Sequence, residues 1–307
     1  MMSVADKSSG RPRGFAPLDY ALYTVSVLVW GFSWIALHYQ IGQVAPEVSV
    51  IWRFATASPL MLLLAAWRGE RLAFRLAEHR YFVGLGAAIF STNFVLFYYA
   101  GAHVASGLLS IVFSLASIGN VALGSLIFGT RVERRVLAGG VFGVIGVALM
   151  FYPELGGVRL DTAALIGLTL SLAGTVCFCI GNMLSLAAQR KGLPIFATIG
   201  WSMAYGAALM VLFSLARGDR FALEWSATYL GGLLYLSVIG SVIAFSVYFT
   251  LLGRVGAARA GYTTVMYPVI ALIVSTFAEG YRWSLLAVLG LAAVLAGNLL
   301  VLRAPKK

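Results

Sequence analysis

Ten runs of mostly apolar residues, each about long enough to cross a bilayer as a helix, constrain this chain more than any other feature. They read as 18–40, 47–67, 80–100, 104–128, 135–152, 162–188, 194–216, 227–252, 258–278 and 284–303. Residues in hydrocarbon must satisfy their own backbone, so runs of this length imply spanning helices. An outer-membrane barrel would show short alternating strands instead. Composition agrees: 61% of the 307 residues are hydrophobic and 11% are charged, against about 25% charged in soluble domains. The connectors leave no room for an extramembrane catalytic domain. The net charge of +11 does not imply nucleic acid, because the basic residues sit in the connectors and not on one face. Asp6, Lys7, Arg11 and Arg13 precede the first run and no small-residue cleavage site follows it, so that run reads as a permanent helix.

The connector charges set an orientation. With the N-terminus inside, inside segments hold 17 Lys and Arg, outside segments hold Arg159, Arg217, Arg220 and Arg282, and Arg53 lies within a run. This split places both termini in the cytoplasm and requires an even number of spans.

The two halves resemble each other. Gly107, Ser110, Ser114, Ser117, Val121 and Gly124 are matched 154 residues later by Gly261, Thr264, Pro268, Ala271, Ser275 and Ala278. Ser91 and Tyr98 match Ser241 and Tyr248 at a shift of 150, and Gly139 and Gly146 match Gly290 and Gly297 at 151. Each half has five spans, so the second enters the membrane from the opposite side. That is the inverted repeat of secondary transporters, whose substrate site lies between the halves near the midplane. The expected organisation is an all-α polytopic membrane protein of ten transmembrane helices in two inverted five-helix repeats. Residues 1–17 form a cytoplasmic tail, 18–152 the first repeat, 153–161 an outer linker, 162–303 the second repeat and 304–307 a cytoplasmic tail.

Several stretches resemble the drug/metabolite transporter superfamily in its EamA branch. WGFSW (Trp30 to Trp34) is similar to that family's opening signature. ARAGYTTVMYPVIALIVSTFAEG (Ala258 to Gly280) is similar to its ninth-span signature, and LLAVLGLAAVLAGNLLV to its last helix. The first repeat departs from the pattern, with Ser114 and Leu115 where a proline is expected and Thr130 where an acid is expected. A less kinked fourth span is the consequence. The aromatic-rich first half resembles the YddG-type exporters of aromatic and other neutral amino acids. The resemblance implies alternating access, a small-molecule substrate, a bacterial-type inner membrane and a cavity formed by spans one to four and six to nine. Spans five and ten then lie at the periphery.

Candidate site residues follow from residue type and depth. Arg53 is the one strong charge well inside a span. It reads either as a carboxylate anchor or as a snorkelling side chain paired with Glu47 or helix-end carbonyls. Trp30, Trp34, Tyr98, Tyr99, Trp201, Tyr205, Phe245, Tyr248 and Tyr262 supply aromatic faces, either for substrate or for packing. Tyr98 and Tyr248 occupy matched places and read as paired gates or as packing residues. The mid-span amides Asn93 and Asn182, with Ser110, bond either substrate or another helix. Pro268, Gly107 and Gly261 are the hinge candidates. No acid lies at the midplane, and His38, His79 and His103 lie near span ends, so strong proton coupling has little support. Gradient-driven export is the simpler reading.

No phosphate-binding GxxxxGK[ST] loop, zinc-type HExxH run or catalytic triad is present, so no cofactor or metal is expected. Cys177 and Cys179 point in different directions on one helix and read as packing residues. The Gly139–Gly143 spacing is a weak dimerisation signal, and a monomer suffices. The expected partners are a small-molecule substrate and membrane lipid. The alternatives are a carrier for another metabolite or drug, a channel, or a lipid-acting membrane enzyme. The last would need a convergent interfacial cluster of acids or histidines that the sequence lacks.

Overall fold

The computed structural model describes residues 16–42, 44–128, 134–154 and 161–302, and among these it contains helices and no strand. In chain order the helices are α1 (Pro17–His38), α2 (Pro46–Trp67), α3 (Leu76–Gly101), α4 (Ser106–Ile127) and α5 (Arg134–Glu154). They continue with α6 (Thr162–Arg190), α7 (Ile195–Arg217), α8 (Ala227–Ala257), α9 (Tyr262–Ala278) and α10 (Leu285–Leu302). Seven of them, α1–α4 and α6–α8, are long and apolar enough to cross a membrane, and α5, α9 and α10 carry shorter apolar stretches. Most of the expected tails (1–15 and 303–307) and most of the linker (155–160) lie outside the described residues.

Local sequence sets the helix ends. Pro17 and Pro46 open α1 and α2, where the missing N–H costs nothing. Asp161 caps α6 through Ala163 N at 2.9 Å, and Ser226 caps α8 through Tyr229 N at 3.1 Å. Gly218 ends α7 in the left-handed region at φ 74°, which a residue with a Cβ adopts only with strain. Two helices receive an acid from elsewhere in the chain. Glu70 accepts from Ala197 N at 2.8 Å at the start of α7, and Glu279 accepts from Ser106 N at 3.1 Å at the start of α4. Each carboxylate meets orphan N–H groups at the positive end of a helix dipole.

Helix packing follows a reciprocal pattern. α1 packs on α9 as α4 packs on α6; α3 packs on α7 as α8 packs on α2; α3 packs on α6 as α8 packs on α1. The pairs α2·α7 and α5·α10 map onto themselves. α5 and α10 pack chiefly on each other and expose Val141, Val144, Ile145, Leu285 and Leu289 to the outside of the bundle.

Two helices change pitch. α3 is a π-helix over Ala88–Asn93 and α8 over Tyr235–Ile243. At both places a serine donates to the carbonyl five residues back, Ser91 to Gly86 at 2.9 Å and Ser241 to Leu236 at 2.8 Å. These are the serines matched at a shift of 150. A π-turn displaces carbonyls from the ladder and makes them available to other donors.

α4 is interrupted once. Its α-helical segments, Ser106–Ser114 and Ala116–Phe128, are separated at Leu115 although no proline is present, whereas α9 runs through Pro268 unbroken. The serines explain it. Ser110, Ser114 and Ser117 donate to the carbonyls of Gly107, Ile111 and Ser114 at 2.6, 2.6 and 3.0 Å, three residues back in each case. Hydroxyl donors of this kind compete with the i−4 ladder and bend helices.

Candidate functional site: an aromatic cavity with one buried cation

The interior of the bundle holds a small cavity of about 50 Å³, room for a few waters and not for a whole metabolite, so a substrate enters only when the lining helices part. α1 supplies Trp30, Ser33, Trp34 and Leu37, spaced one turn apart on one face. α2 supplies Arg53, and α3 supplies Asn93, Phe94 and Phe97. α4, α6, α8 and α9 each add one aromatic residue: Phe113, Phe178, Phe245 and Tyr267. None of the lining residues comes from α5 or α10.

The rings pack edge to face or tilted. Trp30 lies 4.9 Å from Phe245 and 4.9 Å from Tyr248, and Trp34 lies 5.2 Å from Phe97 and 5.6 Å from Phe113. Such pairs contribute about 0.5–1.5 kcal/mol each beyond burial. They also hold the rings against one another.

Arg53 is 1% exposed. Its Nε donates to Ser241 Oγ at 2.9 Å, its Nη2 reaches Gly240 O at 3.4 Å, and its guanidinium lies 4.1 Å from the centre of the Phe94 ring. Gly240 O also accepts from Trp30 Nε1 at 3.1 Å. The π-turn of α8 thus holds both the cation of α2 and the indole of α1. No carboxylate pairs with Arg53 among the described residues. The Tyr98 hydroxyl lies beside its guanidinium without meeting hydrogen-bond geometry. The pairing of Arg53 with Glu47 does not occur. Glu47 accepts from Tyr99 Oη at 2.7 Å and from Arg217 Nη1 at 2.9 Å, at the end of the bundle that holds the α1–α2 connection.

The other sequence candidates are distributed through the bundle. Asn93 lines the cavity, but its Nδ2 donates to Gly174 O of α6 at 2.7 Å. Asn182 Nδ2 donates to Asn120 Oδ1 and to Tyr248 Oη, both at 3.1 Å, tying α6 to α4 and α8. Tyr98 and Tyr248 are buried beside the cavity and do not line it. Ser110 bonds within α4. Trp201 and Tyr205 join a separate cluster at the other end of the bundle, where Tyr205 Oη lies 2.8 Å from His79 Nδ1. Gly107 fits against Leu272 and Ser275 of α9. Gly261 is the residue from which α9 starts, and the Tyr262 side chain lies outside the described residues. Sequence reasoning missed Ser33, Phe94, Phe97, Phe113 and Phe178. Helical spacing was the available signal, since Phe97 is one turn beyond Asn93 and Phe178 one turn before Asn182.

Asn182→Ala is expected to lower thermal stability by about 1–2 kcal/mol, the upper part of the range for membrane hydrogen bonds. Adding Asn120→Ala should then cost little more. A detergent-solubilised thermal melt of both variants checks this.

The model of the EamA-like transporter family matches residues 19–152 and 165–303. The chain belongs to the EamA-like transporter family. It is a multi-pass membrane transporter, and the family and its named relatives are transporters rather than enzymes. A protein of Escherichia coli (strain K12) named "Probable amino-acid metabolite efflux pump" is 22% identical over 288 residues, 91% of this chain and 93% of its own length. The transporter YoaV of Bacillus subtilis (strain 168) is 24% identical over 246 residues, 80% of this chain and 83% of its own. A crystal structure with 17% sequence identity aligns over 92% of this chain and 95% of its own with a TM-score of 0.69, which gives the fold. This EamA-like transporter carries its aromatic cavity where helices of both matched segments meet.

Proposed function

We propose that this transporter exports small amphipathic metabolites, aromatic and other neutral amino acids foremost, across a bacterial inner membrane by alternating access. The helices act as ten spans in two inverted repeats, 18–152 and 162–303, with both termini cytoplasmic. The reciprocal packing of α1–α5 and α6–α10 supports the repeat, as does the family match in two stretches. The arginine distribution supports the orientation.

One observation carries the reading: a cavity between the two halves that joins aromatic walls to a buried guanidinium. Trp30, Trp34 and Phe245 hold an apolar side chain, Arg53 holds a carboxylate, and Asn93 borders the substrate. Tyr98 and Tyr248 brace the cavity from opposite halves and serve as gates. Tyr99, Ser110, Asn182, Trp201, Tyr205 and Tyr262 act along the access paths or in the contacts between helices. Pro268, Gly107 and Gly261 are the places where α9 and α4 flex.

The test is uptake by proteoliposomes. Radiolabelled phenylalanine is expected to enter saturably and to show counterflow, and reporter fusions at both termini should read as cytoplasmic. Trp34→Ala should weaken phenylalanine transport roughly three- to tenfold, the equivalent of one aromatic pair, at unchanged protein level. Uptake that never saturates would make the protein a channel, and a periplasmic terminus would break the repeat.

A further inference from the structure

We infer that the cavity selects a monoanionic carboxylate with an apolar or aromatic body over a zwitterion, and that the membrane potential drives its export. The inference rests on the transporter reading above and narrows its substrate class: at this site amino acids become weaker substrates than carboxylates of the same body that lack the ammonium group.

The charge balance of the cavity leads to it. Arg53 is the one lining residue that carries a formal charge at neutral pH, and no Asp, Glu or His lines the cavity. Its Nη1 has no hydrogen-bond partner among the described residues. A guanidinium has five donors in a fixed fork suited to a carboxylate. Here two are engaged, by Ser241 and Gly240.

An ammonium group would find far less. The carbonyl that the π-turn offers, Gly240 O, already receives Trp30 Nε1 and Arg53 Nη2. The Ser33 hydroxyl donates to Val29 O at 2.8 Å and offers an ammonium only an uncharged lone pair. Thr264, whose carbonyl Pro268 leaves without its ladder donor, does not line the cavity. Asn93 Oδ1, whose amide nitrogen is spent on Gly174 O, and the aromatic faces remain, but one neutral acceptor and ring faces replace only part of the hydration of a primary ammonium. A zwitterion would therefore leave one cation uncompensated inside the bundle, whereas a monoanion makes the occupied cavity neutral. Trp30, Trp34, Phe97, Phe113 and Phe178 then seat the apolar body.

A negative substrate also supplies a driving force that needs no midplane acid. An interior-negative potential expels an anion by 2.3 kcal/mol per charge for each 100 mV, or an accumulation ratio of about fiftyfold.

Three ligands with one apolar body separate the charge types: 3-phenylpropionate, phenylalanine and 2-phenylethylamine. In calorimetric titrations of the purified protein in nanodiscs, 3-phenylpropionate is expected to bind at least tenfold more tightly than phenylalanine. No binding of 2-phenylethylamine should be detected. Arg53→Gln should abolish the preference and Arg53→Lys should keep part of it; the wild-type ranking decides the matter should either variant fail to fold. In proteoliposomes, a 100 mV inside-positive potassium diffusion potential should raise steady-state 3-phenylpropionate accumulation about fiftyfold over protein-free vesicles, as for one net negative charge, with phenylalanine unaffected. Equal or tighter binding of phenylalanine, or accumulation of 3-phenylpropionate indifferent to potential, overturns the inference. Saturable phenylalanine transport in that case leaves the transporter reading standing. Failure of all three ligands to bind or move overturns both.

Discussion

Gly146→Leu is expected to destabilise the protein by about 3 kcal/mol or more, the upper range for overpacking, with Gly290→Leu close behind. The two glycines face each other where α5 crosses α10. A Cβ on Gly146 would lie 2.6 Å from Gly290 O and 2.8 Å from Val294 N, and a Cβ on Gly290 would lie 2.6 Å from Gly146 O. These neighbours are backbone atoms, so relief requires the helices to separate along their whole contact. Small residues that let backbones approach are what membrane helix pairs use in place of a hydrophobic driving force. Both substitutions open the same contact, so the double variant should cost much less than the sum. Gly231→Ala on α8 is the control. Nothing lies within 4 Å of the added Cβ, and alanine favours the helix by about 0.5–1 kcal/mol. Thermal unfolding followed by size-exclusion fluorescence measures all four. A Gly146→Leu variant that melts with the parent would mean that α5 and α10 do not meet this closely.

The glycines show why much of the fold is legible in the sequence. Gly139, Gly146, Gly290 and Gly297 stood out as one pair repeated at a fixed shift. In the structure Gly146 meets Gly290, and a Cβ on Gly297 would lie 2.5 Å from Gly139 O. The matched serines did the same for the π-turns of α3 and α8. A pattern is readable when both partners carry the same small or polar residue in each half. The break in α4 had no such marker. The proline argument pointed to α9, while the ladder of α4 breaks at Leu115, among three serine hydroxyls that bond three residues back.

The cavity was half legible for a related reason. Trp30, Trp34 and Arg53 are conspicuous because indoles and guanidinium groups are costly to bury inside a membrane without a purpose. Phe97, Phe113 and Phe178 are not, because a phenylalanine in an apolar run looks the same whether it faces lipid or substrate. Their convergence depends on which helices pack on α1. Ion pairing was opaque for the same reason. Glu47 is six residues from Arg53 in sequence, yet its partner is Arg217, 170 residues away.

That ion pair carries the second large effect. Glu47 is fully buried, and only its Oε1 is bonded, by Tyr99 at 2.7 Å and Arg217 at 2.9 Å; Arg217 Nη1 also reaches Tyr99 Oη at 3.0 Å. Glu47 Oε2 has no hydrogen-bond partner among the described residues. The triad ties α2 and α3 to the last turn of α7, at the end proposed to face outward. Arg217→Ala strands a buried carboxylate with one donor. The expected cost is about 2–3 kcal/mol, below the full range for breaking a buried pair because the Arg217 side chain is 47% exposed. Glu47→Gln alone removes the charge together with the need for its partner, and should cost less than about 1 kcal/mol. Placed in the Arg217→Ala background, Glu47→Gln should restore most of the loss, giving a coupling energy of about 2 kcal/mol in a double-mutant cycle. If the double variant is no more stable than Arg217→Ala, then Arg217 acts through its guanidinium over the Phe213 ring, 5.6 Å from the ring centre, and not through its pair with Glu47. Under the alternating access proposed above, outward opening parts α7 from α2 and α3. The Glu47→Gln variant, folded but with a weaker tie, should therefore make a cysteine at Ser33 more reactive toward a water-soluble maleimide added from outside. Unchanged reactivity in that variant would mean that this triad does not hold the outer end closed.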